Sequence, residues 1–103
     1  MRIKRGDKKP DLVIDCTNDG VPVNLTTATS VRVIAKRGLT TVFIDTAPTR
    51  DNVNGIVTHA WAGTETDTAG RLMCEVEVTW PSAKLQTFPA FGALPVDIEA
   101  DLA

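Results

Sequence analysis

Few residues in this sequence could carry chemistry, and each also fits a quieter structural role. His59 is the single histidine. Nucleophilic catalysis needs a nucleophile within hydrogen-bond reach of a base that is itself oriented. The hydroxyls on offer are Ser30, Ser82 and many threonines, and no G-x-S-x-G, phosphate-loop or H-E-x-x-H pattern surrounds them. His59 shares a strand face with Val57 and Trp61, which reads as a hydrogen-bonded histidine at the core edge. Glu75 and Glu77 would stand about 7 Å apart on one strand face, a separation that suits a glycosidase pair. No aromatic sugar platform accompanies them, so the face reads as a solvated one whose charges discourage edge aggregation. Glu65 and Asp67, with Thr64, Thr66 and Thr68, could hold calcium in a loop, but EF-hand spacing is absent and such residues ordinarily form turns and caps. Cys16 and Cys74 could form one disulfide or none. Neither has a cysteine or histidine at metal-ligand spacing, and the reading is of two reduced, buried thiols. No catalytic, cofactor or metal site is expected.

Charge placement is more informative than charge total. The chain of 103 residues is 43% hydrophobic and 23% charged, with a formal net charge of −2. This composition fits one modest core and is neither that of a disordered chain nor that of a strongly basic nucleic-acid binder. Arg2, Lys4, Arg5, Lys8 and Lys9 face only Asp7 at the start, a net +4, while Asp97, Glu99 and Asp101 give −3 at the end. Phosphate contact by the basic cluster is disfavoured because no aromatic among those cations could stack a base. A basic arm over residues 1–10 that lies on the acidic finish, in the same chain or a neighbour, fits better and would fix orientation. The first ten residues lack the apolar stretch of a secretory signal, so the Asn24-Leu25-Thr26 sequon reads as chance. No apolar run approaches the roughly eighteen residues of a membrane helix. Phe91, in Pro-Ala-Phe-Gly-Ala, is a candidate exposed anchor for an oligomer contact, with a loop folded back over the end of the domain as the competing reading.

The elements that position these residues are strands. Asn18-Asp19-Gly20, Pro22, Gly38, Pro48, Asn54-Gly55, Gly63, Gly70, Pro81, Pro89, Gly92 and Pro95 break the chain into short windows. Between them lie segments rich in Val, Ile and Thr, which suit a pleated surface. Leu72, Cys74, Val76, Val78 and Trp80 alternate with Met73, Glu75, Glu77 and Thr79, so one face is a core stripe and the other meets water. Val31, Val33 and Ala35, then Leu12, Ile14 and Cys16, repeat the pattern more weakly. The window from Val23 to Arg37 lacks a helical period, and no helix is expected. Further strands are expected near 40–46, 84–90 and 94–99, with a hairpin about Asp51–Gly55. Asp67, Ala69, Gly70, Leu72 and Cys74 resemble the corner before the sixth strand of immunoglobulin-like domains. Leu72 stands in place of the corner tyrosine, and the usual core tryptophan after the first cysteine is absent.

Taken in order, the motifs resemble the N-terminal β-sandwich domain of phage baseplate upper (BppU-type) proteins and its short stand-alone tailed-phage relatives. The residues that carry this are Gly6-Asp7-Lys-Lys-Pro10-Asp11-Leu12, then Asp19-Gly20-Val-Pro22-Val23-Asn-Leu25-Thr26 in a first hairpin. Asn54-Gly55-Ile-Val57-Thr-His59-Ala-Trp61 and Asp67-Thr-Ala69-Gly70 follow, leading into Cys74-Glu75-Val-Glu77-Val-Thr-Trp80-Pro81. Gln86-Thr87-Phe88-Pro89 and a last strand from Leu94 to Ile98 close the series. His59 replaces an aromatic, and Ser82-Ala83 replaces an Asp-Gly turn.

The expectation is a single domain over 1–103, all-β, an immunoglobulin-like β-sandwich of about seven or eight antiparallel strands. The resemblance implies a non-enzymatic virion structural protein, assembled in the bacterial cytoplasm. It would be an oligomeric building block of the tail tip or baseplate, with itself and other phage structural proteins as partners and no membrane. A capsid-decorating or head–tail accessory protein is the alternative within the particle. A host-surface carbohydrate-binding module and, last, a small enzyme are the alternatives outside that class. Candidate interaction residues are Arg2, Lys4, Arg5, Lys8, Lys9, Phe91, Asp97, Glu99 and Asp101.

Overall fold

The computed structural model describes residues 1–102. Its strands are β1 (Arg2–Lys4), β2 (Leu12–Asp15), β3 (Thr17–Asn18), β4 (Val21–Pro22), β5 (Ser30–Arg37) and β6 (Thr40–Asp45). They continue with β7 (Thr49–Asp51), β8 (Ile56–His59), β9 (Gly70–Trp80), β10 (Lys84–Phe88) and β11 (Leu94–Glu99). Among the described residues no α-helix forms, and the protein is all-β.

Alternation decides which side of each strand is buried. On β9, Leu72, Cys74, Val76 and Val78 are fully buried while Met73 between them is 40% exposed. Val31, Val33 and Ala35 of β5 are buried in the same way, as are Leu12 and Ile14 of β2 and Val57 and His59 of β8. Trp80 ends the stripe half-buried: it packs against the core, and its indole N–H donates to Gln86 Oε1 at 3.0 Å.

The long strand β9 organises the larger sheet, ordered β1-β11-β9-β5-β6. β5 runs along one side of it, from Ser30 opposite Thr79 to Lys36 opposite Met73. The other side is shared. β11 pairs with the first half, Leu94 opposite Cys74, and β10 with the second half, Phe88 opposite Val76. The chain must therefore leave the sheet between Phe88 and Leu94, which puts Phe91 on a protruding loop. A second sheet, β2-β8-β7, contains the expected hairpin about Asp51–Gly55, and β3 and β4 form a small hairpin of their own. The apolar faces of the two larger sheets meet in one core, to which Leu12, Ile14 and Val57 contribute from one and Val33, Leu72, Val76 and Phe88 from the other.

Two expectations need correction. Eleven strands form, and the excess over seven or eight is four segments of two or three residues, β1, β3, β4 and β7. The pairing is not wholly antiparallel, since β1 lies parallel to β11. These two strands come from opposite ends of the chain, so no hairpin forces them to run against each other. The start of the basic arm lies on the acidic finish of its own chain, one of the two placements expected, and it does so as a strand of the sheet, with Ile3 turned inward and only 4% exposed.

Turn chemistry follows conformation. Asp19 and Gly20, both at positive φ (51° and 80°), make the two-residue turn between β3 and β4, as Asp-Gly does in hairpins twisted this way. Ser82 and Ala83 stand at φ 67° and 58° between β9 and β10, where neither residue type is at ease. Ala83→Gly should therefore raise the stability by about 0.5–1 kcal/mol, removing strain that exceeds the entropy glycine adds to the unfolded chain. A higher midpoint at unchanged slope in urea would show it, and a lower midpoint would show that Ala83 sits comfortably.

Candidate functional site

The charged ends meet within the chain. Parallel pairing sets Arg2 opposite Asp97, Ile3 opposite Ile98 and Lys4 opposite Glu99. The two isoleucines go inward, and the cations and carboxylates share the outer face. Arg2 and Lys4 reach Glu99 at 3.6 and 3.2 Å, and Arg5 reaches Asp101 at 3.1 Å. Arg71 of β9 holds Asp97 from the other side at 2.8 Å, and the Asp97 carboxyl is lowered from its ordinary range by that hydrogen bond and by nearby positive charge. Lys9 turns to Asp11 at 2.9 Å. Of the basic candidates, only Lys8 makes no ion pair among the described residues.

What holds β1 in place follows from magnitudes. The ion pairs are well exposed, and such pairs contribute about 0–1 kcal/mol each. Burying an isoleucine contributes roughly 1.5–3 kcal/mol. Glu99→Gln should thus cost under about 1 kcal/mol, whereas Ile3→Ala should cost about 2–4 kcal/mol, both read from denaturant midpoints. The reverse ranking would make the charges the anchor.

His59 is buried with both ring nitrogens hydrogen-bonded. It is 5% exposed at the end of β8, with its ring stacked on Phe43 of β6 at a centroid distance of 4.1 Å and edge-on to Trp61 at 5.5 Å. Nδ1 meets Asp45 Oδ2 at 2.7 Å, and Nε2 meets Glu65 Oε1 at 2.8 Å. Ionised carboxylates only accept hydrogen bonds, so both contacts are made together when the ring carries a proton on each nitrogen. The carboxylates are fixed in turn. Asp45 Oδ1 accepts from the Ala47 amide at 3.0 Å and Glu65 Oε1 from the Ala62 amide at 2.8 Å. His59 therefore ties the smaller sheet to β6 of the larger one and to the loop before β9. It has no free nitrogen to offer a substrate.

The remaining chemistry-bearing residues fall into place around this frame. Glu65 caps the 62–65 turn as well as holding His59. Thr66, fully buried, donates its hydroxyl to the Asp7 carbonyl at 2.9 Å. Glu77 pairs with Arg32 across the β5–β9 ladder at 2.9 Å. Cys16 and Cys74 are free and buried. Burial pushes the Cys16 thiol up to about 11, with Asp15 adding to the shift, and the Cys74 thiol up to about 12. At pH 8 a thiol reagent should label neither in the native protein and both in urea. A raised thiol value means that the unfolded chain loses its protons first. Stability present below pH 9 should therefore decline as pH rises from about 9 toward 11–12. Rapid native labelling at pH 8 would contradict this placement.

Phe91 is 93% exposed on the loop between β10 and β11, so it does not fold back over the domain. Beside it lies a cleft of about 490 Å³, lined by Asp15, Thr17, Asn18 and Asp19 on one side and by Pro89, Ala90 and Phe91 on the other. Neither Asp15 nor Asp19 makes an ion pair among the described residues. Sequence reasoning found Phe91 but not the acidic wall beside it, because Asp15 and Asp19 read as a strand end and a turn. It also missed Asp45, for which the sequence carries no local signal. Comparisons of the chain with protein-family models, with curated proteins and with solved structures found no match.

Proposed function

We propose that the chain is a non-enzymatic structural protein of a tailed-phage particle, an immunoglobulin-like β-sandwich that serves as an oligomeric building block of the tail tip or baseplate. Its chemistry is contact-making. The observation that carries this reading is Phe91, a large aromatic 93% exposed on a loop anchored by a paired strand on each side. Aromatic side chains held out on a rigid frame are the residue type that dominates binding energy at protein interfaces. The bonding of His59 supports the same reading, since both of its nitrogens are spent on holding sheets together. The ordered series of motifs from Gly6-Asp7 to Thr87-Phe88-Pro89 supplies the phage assignment.

Immunogold labelling of purified particles tests it. Label at the tail tip or baseplate is the expected result. Label over the head would move the protein to a decorating role, and its absence from particles would overturn the virion reading altogether.

A further inference from the structure

The Phe91 cleft has two carboxylates, Asp15 and Asp19, without an ion-pair partner among the described residues, and an aromatic ring that is 93% exposed. An aromatic face beside paired negative charges is the surrounding that a lysine ammonium and its apolar stem prefer. The fold places an unpaired lysine where it cannot reach this cleft in its own chain. The loop from Arg5 to Asp11 precedes β2 and lies beyond the end of β11, since the Arg5 amide donates to the Glu99 carbonyl at 2.7 Å. The cleft lies past the other end of β2, at Asp15, and before the start of β11, at Leu94. β11 alone separates the two by about 17 Å at roughly 3.3 Å per residue. The basic loop and the acidic cleft are thus at opposite ends of the same strands.

We propose that the Phe91 cleft receives the Lys8-bearing β1–β2 loop of a second copy of this chain. Lys8 would sit between Asp15 and Asp19 with its stem against the Phe91 ring. Lys36, Arg37, Arg50 and Lys84 also lack ion-pair partners among the described residues, but each stands on a strand, whereas Lys8 is on a loop that can enter a concave site. Arg5 and Lys9 on either side of it are held by Asp101 and Asp11, which leaves Lys8 as the cation of this loop without an ion-pair partner among the described residues. The contact is head-to-tail. Every copy that donates its loop keeps its own cleft for another, so repetition gives a ring or a filament. A single loop in one cleft is a small interface, and such contacts are weak between free molecules. Association should therefore show at high protein concentration and low salt, where the Debye length is about 30 Å, and fade near 1 M salt, where it is about 3 Å. The inference rests on the building-block reading for its biological setting, though not for its chemistry.

Sedimentation velocity on the intact chain tests it with charge reversals at exposed positions. Lys8→Glu alone should raise the apparent Kd at least about tenfold, and so should the Asp15→Lys/Asp19→Lys variant alone. A mixture of the two should associate again, because each then offers the loop that the other's cleft accepts. Phe91→Ser should weaken association without altering the far-ultraviolet circular dichroism. A wild-type chain that stays monomeric at low ionic strength overturns the proposal, and so does a mixture that fails to recover. A monomer whose Phe91-loop resonances shift on addition of dextran would instead make the cleft a saccharide site. Particle labelling separates the two levels. A labelled tail tip with normal assembly of Lys8→Glu sinks the cleft contact alone, whereas unlabelled particles sink the virion reading alone.

Discussion

His59→Ala is expected to destabilise the protein by about 3 kcal/mol, the scale of losing a buried ring together with its hydrogen bonds. In a domain of this size that corresponds to a fall in Tm of roughly 12–24 °C. Two losses combine. The ring leaves Phe43, on which it stacks at 4.1 Å, and Asp45 and Glu65 are left as half-buried carboxylates facing each other's charge across the vacated space. The second is the larger. It can be isolated, because neutralising one carboxylate should have opposite effects in the two backgrounds. Asp45→Asn should destabilise the wild-type chain, where it weakens the bond to Nδ1. It should stabilise the His59→Ala chain, where it removes an unpaired charge but keeps the acceptor for the Ala47 amide. Thermal or urea unfolding of the four proteins gives the coupling directly. If Asp45→Asn is destabilising in both backgrounds, the carboxylates are solvated well enough to stand alone, and His59 acts through packing.

How much of this was legible in the sequence depends on the range of the interaction. The inward faces of β2, β5, β8 and β9 were readable because alternation is local and its period is two. The Asp19-Gly20 and Asn54-Gly55 turns were readable because backbone conformation limits residue choice. The pairing of Arg2-Ile3-Lys4 with Asp97-Ile98-Glu99 was half readable. Charge complementarity of the two ends was evident, but parallel register across more than ninety residues is fixed by where the core places Ile3 and Ile98. The cations were thus expected on the acidic finish of the same chain or of a neighbour, and the fold settles Arg2, Lys4 and Arg5 on that of their own chain. The His59 clamp was the least legible. A core-edge histidine needs partners for both nitrogens, yet Asp45 lies on a strand of the other sheet and Glu65 looked like an ordinary turn residue. Function sits at the same limit. A cleft made of a strand end, a hairpin turn and a loop has no sequence spacing to betray it.

Gly55 provides the sharpest test of the backbone geometry. It has φ +66° in the turn before β8, and its carbonyl accepts from the Cys16 amide at 2.7 Å. A Cβ built there would lie 2.5 Å from the Val23 carbonyl oxygen and 2.8 Å from that of Cys16. Both obstacles are backbone, and they are held to each other, since the Val23 amide donates to the Cys16 carbonyl at 2.9 Å. Neither can swing aside as a side chain would. Gly38 has nearly the same conformation, φ +60°, with nothing within 4 Å of its Cβ position. Gly38→Ala should therefore cost only the left-handed strain, about 1 kcal/mol. Gly55→Ala should cost that strain together with displacement of the β3–β4 hairpin from the end of β2, at least about 3 kcal/mol. The same displacement would open the wall of the Phe91 cleft formed by Thr17, Asn18 and Asp19, so any self-association should weaken in Gly55→Ala and survive in Gly38→Ala. Urea midpoints measured side by side decide it. Equal costs at the two glycines would mean that the hairpin is free to move and that the cleft is not a preformed site.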